Sequence, residues 1–80
     1  MQVKIHELAA KELDDAVDWY DLQLKGLGNR FKKSVIHQIN KVRNQPSWFL
    51  KEANDIFKVY VPKFPFKILY TIENEEVIVI

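Results

Sequence analysis

The sequence contains no cysteine, and its two histidines stand far apart. Disulfide bonds and thiolate metal sites are therefore excluded, so the fold must be stabilised by apolar packing. Neither His6 nor His37 has a partner at a spacing typical of metal ligands. We accordingly expect no metal and no other cofactor.

The sequence also lacks a long uncharged apolar run. The residues from Met1 to His6 have no apolar core of the kind that signal peptides carry, and no stretch approaches the roughly 20 residues that a membrane-spanning helix needs. We therefore expect a cytoplasmic protein. No repeat, low-complexity segment or internal linker interrupts the chain, so residues 1–80 are predicted to form one domain.

The formal net charge of +1 hides two opposite local excesses. Six acids face two lysines between Glu7 and Lys25, whereas Asn29 to Gln45 carries five cations and no acid. We expect these two segments to lie side by side, with exposed ion pairs of about 0–1 kcal/mol each that tune their pairing.

Both segments have the periodicity of amphipathic helices. Gly26 predicts the end of the first helix and Gly28 a turn, so residues 25–29 form a short connection and the helices should pack antiparallel. Pro46 marks the end of the second helix. The predicted buried stripes are Ala9, Leu13, Ala16, Val17, Tyr20 and Leu24 on the first helix, and Phe31, Val35, Ile39 and Val42 on the second.

Four segments have the alternation or composition of strands. Gln2 to Ile5 is the first. Asp55–Val61 directs Lys58 and Tyr60 to the face opposite its apolar residues, and the alternation resumes over 66–72. Val77–Ile80 is wholly apolar, which predicts a strand that is covered on both faces or lies centrally in its sheet.

Residues 47–54 are predicted to form a loop that Trp48, Phe49 and Leu50 pin to the core. The resulting order is β-α-α-β-β-β. This order predicts an α+β fold in which a helical hairpin packs on one face of a small, mostly antiparallel sheet.

A series of short motifs in this order resembles the RelE/ParE superfamily, the plasmid-stabilisation toxins of type II toxin–antitoxin modules. The resemblance covers nearly the whole chain. The motifs are Trp19-Tyr20, Gly26-Leu27-Gly28 followed by Phe31, Pro46, Lys63-Phe64-Pro65-Phe66, and Tyr70.

The resemblance implies a small α+β toxin that a cognate antitoxin wraps and holds inactive. Members of the superfamily act in one of two ways: ParE-like toxins poison DNA gyrase, and RelE-like toxins cut messenger RNA in the ribosomal A site. Homodimers and toxin–antitoxin hetero-oligomers are both expected states.

The resemblance also implies candidate site residues. Lys58 and Lys67 stand where the RNA-cleaving branch carries basic catalytic residues, Tyr60 stands where a second lysine is usual, and Lys63 is a further cation. The arginine and tyrosine that follow the last strand in that branch have no counterpart before Ile80, so we expect a missing C-terminal segment and an incomplete nuclease set. Gyrase poisoning is therefore the leading hypothesis; messenger cleavage, and a truncated remnant that only binds antitoxin, are the alternatives.

Three surfaces have more than one interpretation. Lys58, Lys63 and Lys67 either contact a nucleic-acid backbone or acidic antitoxin residues, or they decorate a solvated sheet face. The basic side of the second helix either docks on phosphates or complements the acidic helix. Trp19 and Leu22 lie off the core stripe, and either receive a partner or are covered by the loop that contains Trp48.

Overall fold

Two helices lie against one face of a five-stranded mixed sheet in the computed structural model, which describes all 80 residues. The strand order is β1-β5-β4-β3-β2, in which β1 and β5 are parallel and the other three pairings are antiparallel. The predicted α+β class is therefore confirmed. The elements are β1 (Gln2–Ile5), α1 (Glu7–Gln23), α2 (Leu27–Asn44), β2 (Leu50–Ala53), β3 (Ile56–Tyr60), β4 (Lys67–Glu73) and β5 (Glu76–Val79).

The prediction of a loop over residues 47–54 was wrong, because this segment contains β2. All four residues of β2 are exposed, so the strand buries no side chain and shows no apolar alternation. Its backbone pairs with β3 at the edge of the sheet, with a shift in register after Lys51. Of the residues expected to pin the segment, only Phe49 packs against the core, while Trp48 and Leu50 are exposed.

A tight connection joins the two helices. Gly26 has a φ of 87°, a left-handed conformation that glycine adopts without strain. The N–H of Gly28 donates to Oδ1 of Asp21 at 2.8 Å, which satisfies one of the free donors at the start of α2. A side chain at Gly28 would collide with the backbone oxygen of Val17, so this glycine permits the close approach of the helices.

The predicted stripes face the core except for Leu24, which lies beyond the last residue of α1 and is exposed. The predicted ion pairs between the helices are absent: no nitrogen of a basic side chain on α2 lies within 4.0 Å of a carboxylate oxygen. The hairpin is therefore joined by apolar packing.

Trp19 and Leu22 remain 56% and 83% exposed.

An aromatic cluster centred on Phe31 joins the helices to the sheet. The Phe31 ring is wholly buried, and its centroid lies 4.8 Å from that of Tyr20, 5.1 Å from that of Phe64 and 5.0 Å from that of Phe66. Tyr20 belongs to α1, whereas Phe64 and Phe66 belong to the connection between β3 and β4. This ring of α2 therefore contacts two other parts of the chain.

Two side-chain hydrogen bonds strengthen the same junction. Gln38, buried on α2, donates its Nε2 hydrogen to the carbonyl oxygen of Tyr60 at 2.6 Å. Tyr70, buried on β4, donates its hydroxyl to the carbonyl oxygen of Pro46 at 2.6 Å. Burial raises the pKa of Tyr70 to about 12 because the phenolate is poorly solvated there.

The apolar strand β5 lies in the interior of the sheet, between β1 and β4. This confirms the predicted alternative of a central strand. Coverage on both faces, the other alternative, is not observed. Val77 and Val79 are buried beneath the helices, whereas Ile78 points to the opposite face and is only half-buried.

Tyr70 should govern the alkaline limit of stability. The neutral phenol is favoured in the folded state, so its contribution is complete below the ordinary pKa of 10.0 and is lost as the pH rises through about 12. Tyr70→Phe should lower the free energy of unfolding at neutral pH by about 1 kcal/mol, because it removes a buried hydrogen bond. It should also remove the tyrosine that titrates at about pH 12 from an ultraviolet titration of tyrosinate.

The matched control is Tyr60→Phe, which alters an exposed tyrosine whose hydroxyl, unlike that of Tyr70, donates no hydrogen bond within the protein. Denaturant unfolding of both variants makes the comparison. Equal stability losses, or a late tyrosine that survives in Tyr70→Phe, would contradict the assignment.

Candidate functional site

The face of the sheet opposite the helices is uncovered, and we call it the open face. Strand pairing places side chains from all five strands on it, since Leu50 and Leu69 are opposite Lys58, Tyr60 is opposite Lys67, and Ile78 is opposite both Thr71 and Lys4. The open face includes Lys4, Leu50, Glu52, Ile56, Lys58, Tyr60, Lys67, Leu69, Thr71, Glu76 and Ile78.

The centre of the open face is apolar and its margins are charged. Leu69, Thr71 and Ile78 are half-buried at the centre, on β4 and β5. At one margin the Lys4 ammonium pairs with Glu76 at 3.3 Å. The opposite margin carries a second group of ion pairs, so both ends of the surface are polar.

That second group is built around Glu52, on the edge strand β2. Its carboxylate accepts hydrogen bonds from Nζ of Lys67 at 2.9 and 3.1 Å, and lies 3.4 Å from Nζ of Lys58. The bond from Lys67 is the main cause that lowers the pKa of Glu52, and Lys58 adds to it. In turn the Glu52 carboxylate raises the pKa of Lys58, because it favours the charged ammonium.

Tyr60 lies beside this group. The Lys58 ammonium sits 5.8 Å from the centroid of the Tyr60 ring, within the range of a cation–π contact. The ring is 55% exposed, so it is accessible to a partner. The structure therefore brings Lys58, Tyr60 and Lys67 together on one surface, as the strand alternation predicts.

Lys63 does not join them. It lies in the connection between β3 and β4 with a φ of 70°, a left-handed conformation that costs a residue other than glycine about 1 kcal/mol or more. Its neighbours are Arg30 and Lys33 of α2, with which it lines a separate groove. The four candidate residues are thus divided between two surfaces.

Sequence reasoning missed Glu52, the residue that organises the charged margin, because it missed β2. A signal was present: Asn54-Asp55 separates Leu50–Ala53 from Ile56–Tyr60, and such a polar pair is typical of a hairpin turn. A hairpin drawn there brings Glu52 alongside the strand that contains Lys58.

Comparison with protein-family models, with curated proteins and with solved structures finds no match to this chain. The family resemblance stays a prediction. No three His, Asp or Glu side chains are grouped so that they could hold a metal ion, and neither helix is both long and apolar enough to cross a bilayer. What the open face offers is an apolar centre, paired charges and one accessible aromatic ring.

Removal of the negative charge of Glu52 should break its ion pair with Lys58. In Glu52→Gln the pKa of Lys58 should fall towards its ordinary value of 10.5, since the hydrogen bond and the attraction that raise it are lost. Titration of the lysine side chains by nuclear magnetic resonance measures this shift.

Glu75→Gln is the control, because Glu75 is exposed on the turn between β4 and β5 and makes no ion pair. It should leave the pKa of Lys58 where it is. An unchanged Lys58 titration in Glu52→Gln would show that the ion pair does not persist in solution.

Proposed function

We propose that this chain is the toxin of a type II toxin–antitoxin module of the RelE/ParE kind, and that it acts by binding a protein target through the open face. Of the two targets that the resemblance implies, DNA gyrase is the leading one because the nuclease residue set is incomplete. The proposal rests on one observation. The open face has an apolar centre, and the lysines at its two margins already form ion pairs with neighbouring glutamates.

A half-buried apolar centre bordered by polar groups is the common anatomy of a protein-binding surface. Leu69, Thr71 and Ile78 supply the apolar area, and Tyr60 supplies an exposed aromatic ring, a residue type enriched in such interfaces. A partner that covers these residues removes apolar surface from water without having to separate the paired charges.

The same charges are a poor platform for a nucleic-acid backbone. Phosphate binding draws on free cations that displace counterions. On the open face Lys58 and Lys67 share the Glu52 carboxylate, and Lys4 is paired with Glu76. A phosphate would therefore compete with a carboxylate for each of these ammonium groups.

The antitoxin has an accessible place to bind beside this surface. β2 forms one edge of the sheet, and its four residues are exposed. An edge strand offers unpaired backbone groups to an extended segment of another chain, which can add as a further strand. An antitoxin segment added at β2 would reach the Glu52 margin and block access to the open face.

Messenger cleavage is the second candidate, and the arrangement at Glu52 is the observation in its favour. A carboxylate between two ammonium groups has the parts needed to accept a proton from a 2′-hydroxyl and to stabilise charge that develops on phosphate. The pKa of Glu52 is lowered, however, which makes its carboxylate a weaker base. This candidate therefore ranks below protein binding.

Thr71→Lys tests the proposal, because it places a charge at the apolar centre of the open face. Inducible expression in a bacterial host should arrest growth with the unmodified chain, and the variant should relieve the arrest. Purified Thr71→Lys should need about tenfold more protein to inhibit supercoiling by gyrase, a loss of about 1.4 kcal/mol in binding. Lys41→Gln, which alters an exposed cation of α2, is the control and should retain full potency.

Glu52→Gln distinguishes the two candidates. Loss of a general base would reduce ribosome-dependent messenger cleavage by about 10²-fold or more, whereas gyrase inhibition, which needs no proton transfer, should weaken by less than about tenfold although Lys58 and Lys67 lose their ion-pair partner. Cleavage by the unmodified protein without any effect on gyrase would overturn the proposal in favour of the nuclease. Growth without arrest would also overturn the proposal and would favour the alternative of a truncated remnant that only binds antitoxin.

A further inference from the structure

A second surface of the molecule concentrates unpaired positive charge, and we call it the basic groove. It is a concave site of about 490 Å³ between the beginning of α2 and the connection that joins β3 to β4. Arg30 and Lys33 line it from the helix, and Lys63 lines it from the connection. It lies on the helical layer, so it is separate from the open face.

The charges of the basic groove are not compensated within the protein. No carboxylate oxygen lies within 4.0 Å of a side-chain nitrogen of Arg30, Lys33 or Lys63, whereas every lysine of the open face is ion-paired. Asp21, at the adjoining end of α1, is engaged by the N–H of Gly28 instead. Three cations of like sign around one concavity favour an anionic occupant.

The turn between β3 and β4 positions Lys63 at the groove, since the N–H of Phe64 donates to the carbonyl oxygen of Val61 and places Lys63 inside that turn. This residue adopts the left-handed conformation, which glycine would adopt without strain. The conformation places a cationic side chain at the wall of the groove, opposite the two cations of α2.

The aromatic residues of the groove argue against a nucleic acid. Binding of single strands depends on exposed ring faces on which bases stack. The rings of Tyr20 and Phe64 instead contact each other edge to face at 5.0 Å, and both pack against the buried Phe31. Both rings are half-buried and belong to the core cluster, so they offer no free platform.

The remaining lining residues fit a polypeptide. Leu27 and Pro65 supply apolar surface between the cations, and Ser34 supplies a hydroxyl. A segment that alternates carboxylate and apolar side chains would satisfy both kinds of contact, and individual carboxylates are small enough to enter a concave site. We infer that the basic groove binds an acidic, partly apolar segment of a protein partner.

This inference does not rest on the proposed toxin activity, because it concerns other residues on another surface. The probe is a fluorescein-labelled hexapeptide of glutamate and leucine, and its matched control replaces each glutamate by glutamine. Fluorescence anisotropy with the full chain should show salt-dependent binding of the glutamate peptide and no binding of the glutamine peptide.

Three variants test the residues. Arg30→Gln, Lys33→Gln and Lys63→Gly should each weaken binding about twofold to fivefold, the effect typical of an exposed charge pair, and the triple variant should abolish it. The control is Lys41→Gln combined with Arg43→Gln, which removes two cations near the other end of α2. Because the control alters net charge but not the groove, it should weaken binding by less than about twofold.

Chemical-shift mapping on the unmodified protein tests the location without any variant. The peptide should shift the amide signals of residues 27–34, Lys63 and Phe64. Shifts confined to the open face, equal losses in the control double variant, or equal binding of the glutamine peptide would overturn the inference. Tighter binding of an oligothymidylate or a short duplex, weakened by the same three variants, would assign the groove to nucleic acid and would also overturn it.

Discussion

The packing of the Phe31 ring is the contact on which the rest of the structure depends. Phe31 is wholly buried, and its aromatic neighbours come from α1 and from the connection between β3 and β4. Burial of such a ring contributes about 1.5–3 kcal/mol, and each aromatic pair adds about 0.5–1.5 kcal/mol. These contacts seat the hairpin on one face of the sheet. The opposite face is left to solvent, and the connection that carries Lys63 is held against α2.

The two candidate surfaces differ in how their charges are balanced. The open face has three lysines and two glutamates that pair with them, around an apolar centre. The basic groove has three cations and no paired acid. The first arrangement favours burial against a largely apolar partner, since each of its lysines is already ion-paired. The second favours an anionic partner. One small chain therefore presents two surfaces suited to different contacts, both positioned by the same core.

Sequence periodicity predicted the helices and strands that pack one face on the core. It did not predict β2, none of whose side chains is buried. Phe31 and Val35 repeat at helical spacing, and Val59 alternates with Lys58, because in each case one face packs on the core. β2 has no buried side chain, so it left no pattern, and Glu52 was missed with it. Lys58 and Lys67 were placed correctly because strand pairing brings them to one face. The position of Lys63 depends on a left-handed turn between two prolines, a conformation that strand alternation cannot predict.

Native-state amide hydrogen exchange tests the central claim, that the aromatic cluster makes the hairpin and the sheet one cooperative unit. If it does, the most protected amides of α2, β3 and β4 should exchange only by global unfolding. Their free energies of exchange should then equal the free energy of unfolding obtained with denaturant. If α2 instead opens at a clearly lower free energy while β3 and β4 keep their protection, Phe31 does not join the layers and the account is contradicted.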